Sequence, residues 1–78
     1  MDEIGALIRC HRKKAGLTQR ELADLAGVGK TVVFDIEHGK ASVQFDILQK
    51  VCDVLSIRIR LESPVMEQCR KEVGDAQG

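Results

Sequence analysis

The side chains best suited to metal binding or nucleophilic chemistry are three cysteines and two histidines, and their spacing supports neither activity. Cys10, Cys52 and Cys69 are odd in number, widely separated and never arranged as Cys-x-x-Cys, so they predict no disulfide framework and no zinc site. A catalytic thiolate needs a histidine base beside it, and His11 and His38 form no recognisable arrangement with the cysteines. Cys10 and Cys52 lie in apolar periodic segments, which predicts small buried side chains. We therefore expect no enzyme activity, no metal and no cofactor.

A cluster of basic residues near the N-terminus offers a different chemistry, the binding of an anion. The cluster consists of Arg9, Arg12, Lys13, Lys14 and Arg20. Such clusters are more often a solvated helix face, and the whole chain is neutral, with twelve basic and twelve acidic side chains. Charge alone leaves both interpretations open.

Length and composition limit the chain to one small domain. Its 78 residues are 44% hydrophobic and 31% charged, which is typical of a globular domain rather than a disordered chain. A folded chain of this size buries only about 60% of the surface it exposes when unfolded, so its core is marginal without reinforcement. No apolar run reaches the roughly 18 residues of a membrane span, and no signal-peptide pattern begins the chain. We expect a cytoplasmic location.

Hydrophobic spacing and capping residues predict four helices in the first 56 residues. The predicted helices cover about 2–15, 19–26, 30–38 and a stretch that begins between Ser42 and Asp46 and ends near Leu55. The last of these is expected to bury an apolar face made of Phe45, Leu48, Val51, Cys52 and Leu55.

The second helix has the clearest start and stop signals. Thr18 and Glu21 form a capping-box pattern, and Leu17 is placed for a hydrophobic staple. Gly27 ends the helix, and the turn over 27–29 has the length that joins two crossed helices. The sequence thus predicts a helix-turn-helix unit within the first forty residues.

After the fourth helix the sequence changes to a period of two. Residues 57–62, Ile-Arg-Ile-Arg-Leu-Glu, alternate apolar and charged side chains, which predicts a half-buried strand. Nothing else alternates in this way, and a lone strand leaves its amides and carbonyls unpaired. We expect the same strand of a second copy to pair with it across a two-fold axis and bury Ile57, Ile59 and Leu61. The alternatives are docking on the chain's own helices and a disordered tail.

Residues 16–40 carry a pattern with steric reasons behind it. The segment reads GLTQRELA at 16–23, continues through Gly27 and Val28, and reaches the apolar Val33 and Ile36. A small residue at Ala23 lets the next helix cross closely, and Gly27 can take a positive φ. This pattern closely resembles the helix-turn-helix of Cro-like (XRE-type) phage repressors over about residues 4–56. The resemblance implies an all-α fold, a four- to five-helix lambda-repressor-like DNA-binding domain, to which the C-terminal strand is added.

The resemblance also implies roles for individual residues. The resemblance implies that Gln19 and Lys40 contact backbone phosphates. It also implies that a second set of residues faces the major groove: Gly29, Lys30, Thr31 and Phe34. Lys30 can donate to guanine or to a phosphate, and Thr31 can offer its hydroxyl to a base or its methyl to thymine. Arg12 and Glu37 match a pair that joins the first and third helices as a structural salt bridge, so neither is expected to contact DNA.

Three positions depart from the family pattern. Phe34 occupies a place that is often polar or basic, Asp35 would repel phosphates if it faced them, and Gly29 replaces the usual serine or threonine cap. Fewer polar base-reading side chains predict modest specificity in each half-site, so dimerisation would supply much of the affinity.

The alternating strand narrows the resemblance to HipB-like antitoxins, which dimerise through that strand and repress the operon that encodes them with a toxin. The chain would then divide into a DNA-binding domain (1–56), a dimerisation strand (57–64) and a C-terminal tail (65–78) able to touch a toxin. The expected partners are an inverted-repeat operator in duplex DNA, a second copy and a toxin, with no membrane. A free-standing small repressor, a restriction-modification controller protein and a protein-only interaction module are the alternatives.

Overall fold

The computed structural model describes residues 2–40 and 42–77, and within these ranges the chain forms five helices. They are α1 (Asp2–Lys14), α2 (Gln19–Ala26), α3 (Lys30–Glu37), α4 (Phe45–Val54) and α5 (Met66–Gln77). Helix α3 packs against both α1 and α2, and α4 packs against α2. For the described residues, the predicted all-α class and the first four predicted helices are confirmed, with helix ends within one residue of the predicted ones.

The two ends of α2 determine how α3 is presented. At the start, the Thr18 hydroxyl accepts from the Glu21 amide at 3.0 Å, and the Glu21 carboxylate accepts from the Thr18 amide at 2.8 Å. At the end, Gly27 adopts a left-handed conformation with φ of 72°, and the Val28 amide donates to the Ala23 carbonyl at 2.9 Å. Together with the Gly27 amide, which donates to the Asp24 carbonyl at 3.3 Å, this bond defines a Schellman ending. The chain therefore leaves α2 in a fixed direction, and α3 begins after three residues.

The core lies among the first four helices. Its buried members are Ile8, Leu22, Ala23, Val33, Ile36, Val51 and Cys52. Gly5 brings α1 close to α3, because a methyl group at this position would overlap the Ile36 carbonyl oxygen and lie 2.8 Å from that of Glu37. The crossing of α1 and α3 thus depends on a residue without a side chain.

Two side chains predicted to be buried are exposed. Cys10 lies on the outer face of α1, about half a helical turn from the buried Ile8. Phe45 is 61% exposed, because it is the first residue of α4 and the core contacts of that helix lie one to two turns later. The predictions for Cys10 and Phe45 were wrong. The prediction for Cys52, which is buried, was correct.

The predicted strand is not formed within this single chain. In the described part of the molecule no residue belongs to a β-strand, and residues 57–63 carry neither helix nor strand. A strand is defined by its hydrogen bonds to a neighbouring strand, and the described residues of this chain contain no second strand to pair with. Ile57 and Ile59 are half-buried against the core, whereas Leu61 is 65% exposed. Pairing with a second copy stays a prediction.

The C-terminal arm, residues 57–77, lengthens the molecule. The radius of gyration is 15.1 Å and the extents are 43 × 23 × 23 Å, compared with a radius of about 11.5 Å for a compact chain of this length. Val65 and Val73 of the arm are each about half exposed. Among the described residues we find no helix that could span a lipid bilayer.

Candidate nucleic-acid interface

A buried ion pair joins α1 to α3. Arg12 Nε donates to Glu37 Oε2 at 2.6 Å, and Arg12 Nη2 donates to Glu37 Oε1 at 3.1 Å. A third guanidinium nitrogen, Nη1, donates to the Leu17 carbonyl at 2.9 Å. The Arg12 side chain is 10% exposed and that of Glu37 is fully buried. Because a bidentate pair has one favoured geometry, it holds α3 in a defined orientation, and both side chains point into the protein.

Gln19 extends this network to α2. Its Nε2 donates to Glu37 Oε1 at 3.2 Å, and the residue is half-buried at the first position of the helix. The sequence implied a contact between Gln19 and the DNA backbone, and the bond to Glu37 was not foreseen from the sequence. A glutamine amide has two N–H donors, so the bond to Glu37 occupies one of them.

The network also shifts the pKa values of the two charged groups. Burial by itself raises the pKa of Glu37, but the hydrogen bonds from Arg12 and Gln19 and the charges of Arg12 and Arg9 outweigh burial, so the pKa is lowered. The hydrogen bond to Glu37 raises the pKa of Arg12 despite the opposing effect of desolvation. Both groups therefore remain charged at neutral pH.

The opposite face of α3 is open to solvent. Val33, Ile36 and Glu37 are buried on the inner side. The outer side exposes four residues for which the sequence predicts DNA contacts, Gly29, Lys30, Thr31 and Phe34. Gly29 is the N-cap, with φ of −76° and no side chain to cap the helix. The structure thus places these four residues together at the start and on the exposed face of α3.

Lys40 lies just after α3 and contacts Asp35. Its Nζ is 3.5 Å from Asp35 Oδ1, with side-chain exposures of 67% and 31%. The Lys40 amide also donates to the Asp35 carbonyl at 3.1 Å. The carboxylate that the sequence flagged as a possible source of phosphate repulsion is therefore partly neutralised by the lysine predicted to contact phosphate.

His38 is a residue of this surface that sequence reasoning missed. Its ring stacks on that of Phe34, with centroids 3.9 Å apart and an angle of 22° between the planes. His38 Nδ1 lies 2.8 Å from the Phe34 carbonyl oxygen. Since a carbonyl oxygen can only accept, Nδ1 carries the proton and donates it. The available signal was the spacing of four residues, which places two side chains on one helix face.

Comparisons with known proteins match this chain to one family model and to two transcriptional regulators. Residues 8–61 match the family model described as helix-turn-helix. The chain is 40% identical over 62 residues to an uncharacterized HTH-type transcriptional regulator, y4mF, from Sinorhizobium fredii, covering 80% of this chain and 82% of that protein. It is 39% identical over 49 residues to an uncharacterized HTH-type transcriptional regulator from Methanothermobacter thermautotrophicus, covering 63% of this chain and 71% of that protein. The matched region of the family model contains the buried network and the exposed face of α3.

Proposed function

This chain belongs to the helix-turn-helix family of DNA-binding transcriptional regulators, and we propose that it is a dimeric repressor of the antitoxin type. In this role it binds an inverted-repeat operator and also binds the toxin encoded beside it. The observation that carries the proposal is the exposed outer face of α3, held by the buried Arg12–Glu37 pair on the other side of the same helix.

The outer face of α3 has the chemistry for reading the major groove. Lys30 supplies a donor for guanine or a phosphate, Thr31 a hydroxyl or methyl group, and Phe34 an apolar ring. Gly29 lets the duplex approach the start of α3 without a side chain between them, and Gln19 and Lys40 contact the backbone phosphates.

In a two-fold dimer the two α3 helices would lie about 34–36 Å apart or a multiple of that distance, which requires an inverted repeat.

Selection of duplexes from a random pool tests this mode of binding. We expect an inverted repeat to be recovered, and Lys30→Ala and Thr31→Ala to weaken binding to it by about 5- to 150-fold per lost base contact. Lys71→Ala, a lysine change on the exposed surface of α5, is the control and should bind as the wild type does. Unchanged affinity in both α3 variants would contradict the assignment.

The first part of the C-terminal arm supports dimerisation. Residues 57–60 alternate half-buried and exposed positions, as a strand with one face on the core would. The Ile57 amide donates to the Cys52 carbonyl at 2.9 Å, so it is turned toward the chain's own α4. Amides alternate in direction along an extended chain, so those of Arg58, Arg60 and Glu62 would face a partner strand.

The charges of the arm favour one register for two antiparallel copies. With Arg60 on the two-fold axis, Arg58 lies opposite Glu62 of the second copy, and Ile59 lies opposite its Leu61. Each of these pairs occurs twice. Arg60 then faces the Arg60 of the second copy, but this single like-charge contact is outweighed by the two Arg58–Glu62 pairs. With Ile59 on the axis, Arg58 instead lies opposite Arg60 twice with no compensating Arg–Glu pair, and like charges directly opposite each other are destabilising. We therefore place Arg60 on the axis.

Cysteine cross-linking tests both the strand and its register, in a background with Cys10→Ser and Cys69→Ser. Arg60→Cys should form a disulfide-linked dimer on oxidation, because residues directly opposite have Cα atoms about 5.5 Å apart. Ile59→Cys is the matched control, since its two copies would be separated by about 8 Å. Cross-linking at 59 alone would contradict this register. A monomeric wild type in sedimentation at micromolar concentration would overturn the dimer.

Residues 65–77 support a second protein partner. Val65 and Val73 are 51% and 54% exposed, which leaves apolar surface available on the arm. Co-expression with the protein encoded next to this chain should yield a complex. Deletion of residues 65–78 should abolish that complex and preserve DNA binding. Failure of the neighbouring protein to co-purify with the full chain would contradict the antitoxin role and favour a free-standing repressor.

A further inference from the structure

We propose that Phe34 and His38 form a thymine-reading unit, in which the Phe34 ring contacts the 5-methyl group of one thymine per half-site and His38 positions that ring. The inference rests on the proposed binding of α3 in the major groove. Neither the sequence nor the family match gave His38 a role in binding.

The starting observation is an apolar ring on the surface that meets DNA. Phe34 is 44% exposed and follows Lys30 by one helical turn on the same face of α3, with His38 one turn further on. A phenyl ring has no hydrogen-bond donor or acceptor. If it met a polar base edge, that edge would lose water without gaining a partner, which is unfavourable.

Thymine is the base that matches such a ring. In the major groove guanine displays two acceptors, cytosine a donor, and adenine an acceptor and a donor. Thymine adds an apolar methyl group beside its acceptor. An apolar side chain at Phe34 therefore favours thymine at the base position it reaches and disfavours the other three bases.

His38 holds the ring in place. Its imidazole covers one face of the Phe34 ring at a centroid distance of 3.9 Å, and its Nδ1–H is bonded to the Phe34 carbonyl at 2.8 Å. The imidazole is thereby tied to the backbone of the residue whose side chain it supports. A side chain ordered before binding loses less conformational entropy when it binds. His38 is thus a positioning residue, which acts through Phe34.

The test replaces each thymine of the selected operator with deoxyuridine, one position at a time. Deoxyuridine pairs as thymine does and lacks only the methyl group. For the wild type we expect one position in each half-site at which the replacement weakens binding by about three- to fivefold, the value of one buried methyl group. Phe34→Ala should bind thymine and deoxyuridine equally at that position.

The His38 variants separate positioning from a merely structural role. His38→Ala should reduce the preference for thymine over deoxyuridine at the same position, and His38→Tyr, which retains an aromatic ring, should restore it. Lys30→Ala should lower the overall affinity and leave this preference intact. Circular dichroism checks folding, and Phe34→Gln replaces Phe34→Ala if that variant is unfolded.

Three results would overturn the proposal. A wild type that binds its operator and is insensitive to every deoxyuridine replacement has no thymine-methyl contact. A Phe34→Ala or Phe34→Gln variant that keeps the wild-type preference shows that another residue makes the contact. A wild type that selects no duplex at all would overturn the proposed function and this inference with it.

Discussion

Arg12 and Glu37 lie 25 positions apart in the chain, and Arg12 Nε donates to Glu37 Oε2 at 2.6 Å inside the protein. The same carboxylate accepts from Gln19 at the start of α2. One buried acidic group thus contacts side chains of α1 and α2 from its place on α3. The orientation of α3, the helix proposed to face DNA, therefore depends on side chains that point into the protein.

Removal of either partner of this pair should destabilise the fold. Glu37→Gln and Arg12→Ala each leave a group without its partner, which costs about 3–5 kcal/mol when the pair is fully buried and less when it is partly exposed. Urea unfolding measures the loss, with the exposed Glu72→Gln as control. A variant with wild-type stability and no DNA binding would show that the residue acts at the DNA and does not hold the fold.

The lowered pKa of Glu37 predicts a specific loss of stability in acid. The stabilisation is fully present above the ordinary value of 4.5. Below it the unfolded chain takes up a proton that folded Glu37 still resists, so stability falls as the pH approaches the lowered pKa. Below pH 4.5 the free energy of unfolding should therefore change less steeply with pH in Glu37→Gln than in the wild type. Equal slopes in the two proteins would contradict the shift.

Lys40 and Asp35 should set the salt dependence of binding. Lys40→Ala removes one proposed phosphate contact, which should lower the slope of log affinity against log salt concentration by about one. Asp35→Asn removes the nearby negative charge and should strengthen binding to all sequences alike. Filter binding at several salt concentrations measures both effects. A changed preference for one base in Lys40→Ala would mean that Lys40 contacts a base.

Gly5→Ala should destabilise the protein by about 1–3 kcal/mol, the usual cost of overpacking a tight contact. The added methyl group meets backbone carbonyls of α3, which cannot turn aside as a flexible side chain can. Gly74→Ala is the matched control, because its methyl group meets nothing within 4 Å. Thermal unfolding should show a loss for Gly5→Ala and none for Gly74→Ala. Equal stability in the two variants would contradict the close crossing of α1 and α3.

The helix-turn-helix could be predicted from the sequence because its signals are local. The capping box joins Thr18 and Glu21, three residues apart. The Schellman ending at Gly27 involves bonds across three to five residues. Such bonds form between neighbours in the chain, so residue types at short spacing determine them. Arg12 and Glu37 are 25 positions apart in the chain, and their pairing was anticipated through the family resemblance.

Tertiary structure decided the features that depend on how helices meet. The place of Gly5 against α3, the bond from Gln19 to Glu37 and the exposure of Cys10 and Phe45 follow from which helix faces are in contact. Periodicity identifies an apolar face of a helix but does not say how much of it a neighbouring helix covers. The alternating segment at 57–62 is a second example. It becomes a strand only if it forms hydrogen bonds with a neighbouring strand, and the described residues of one chain contain no such neighbour.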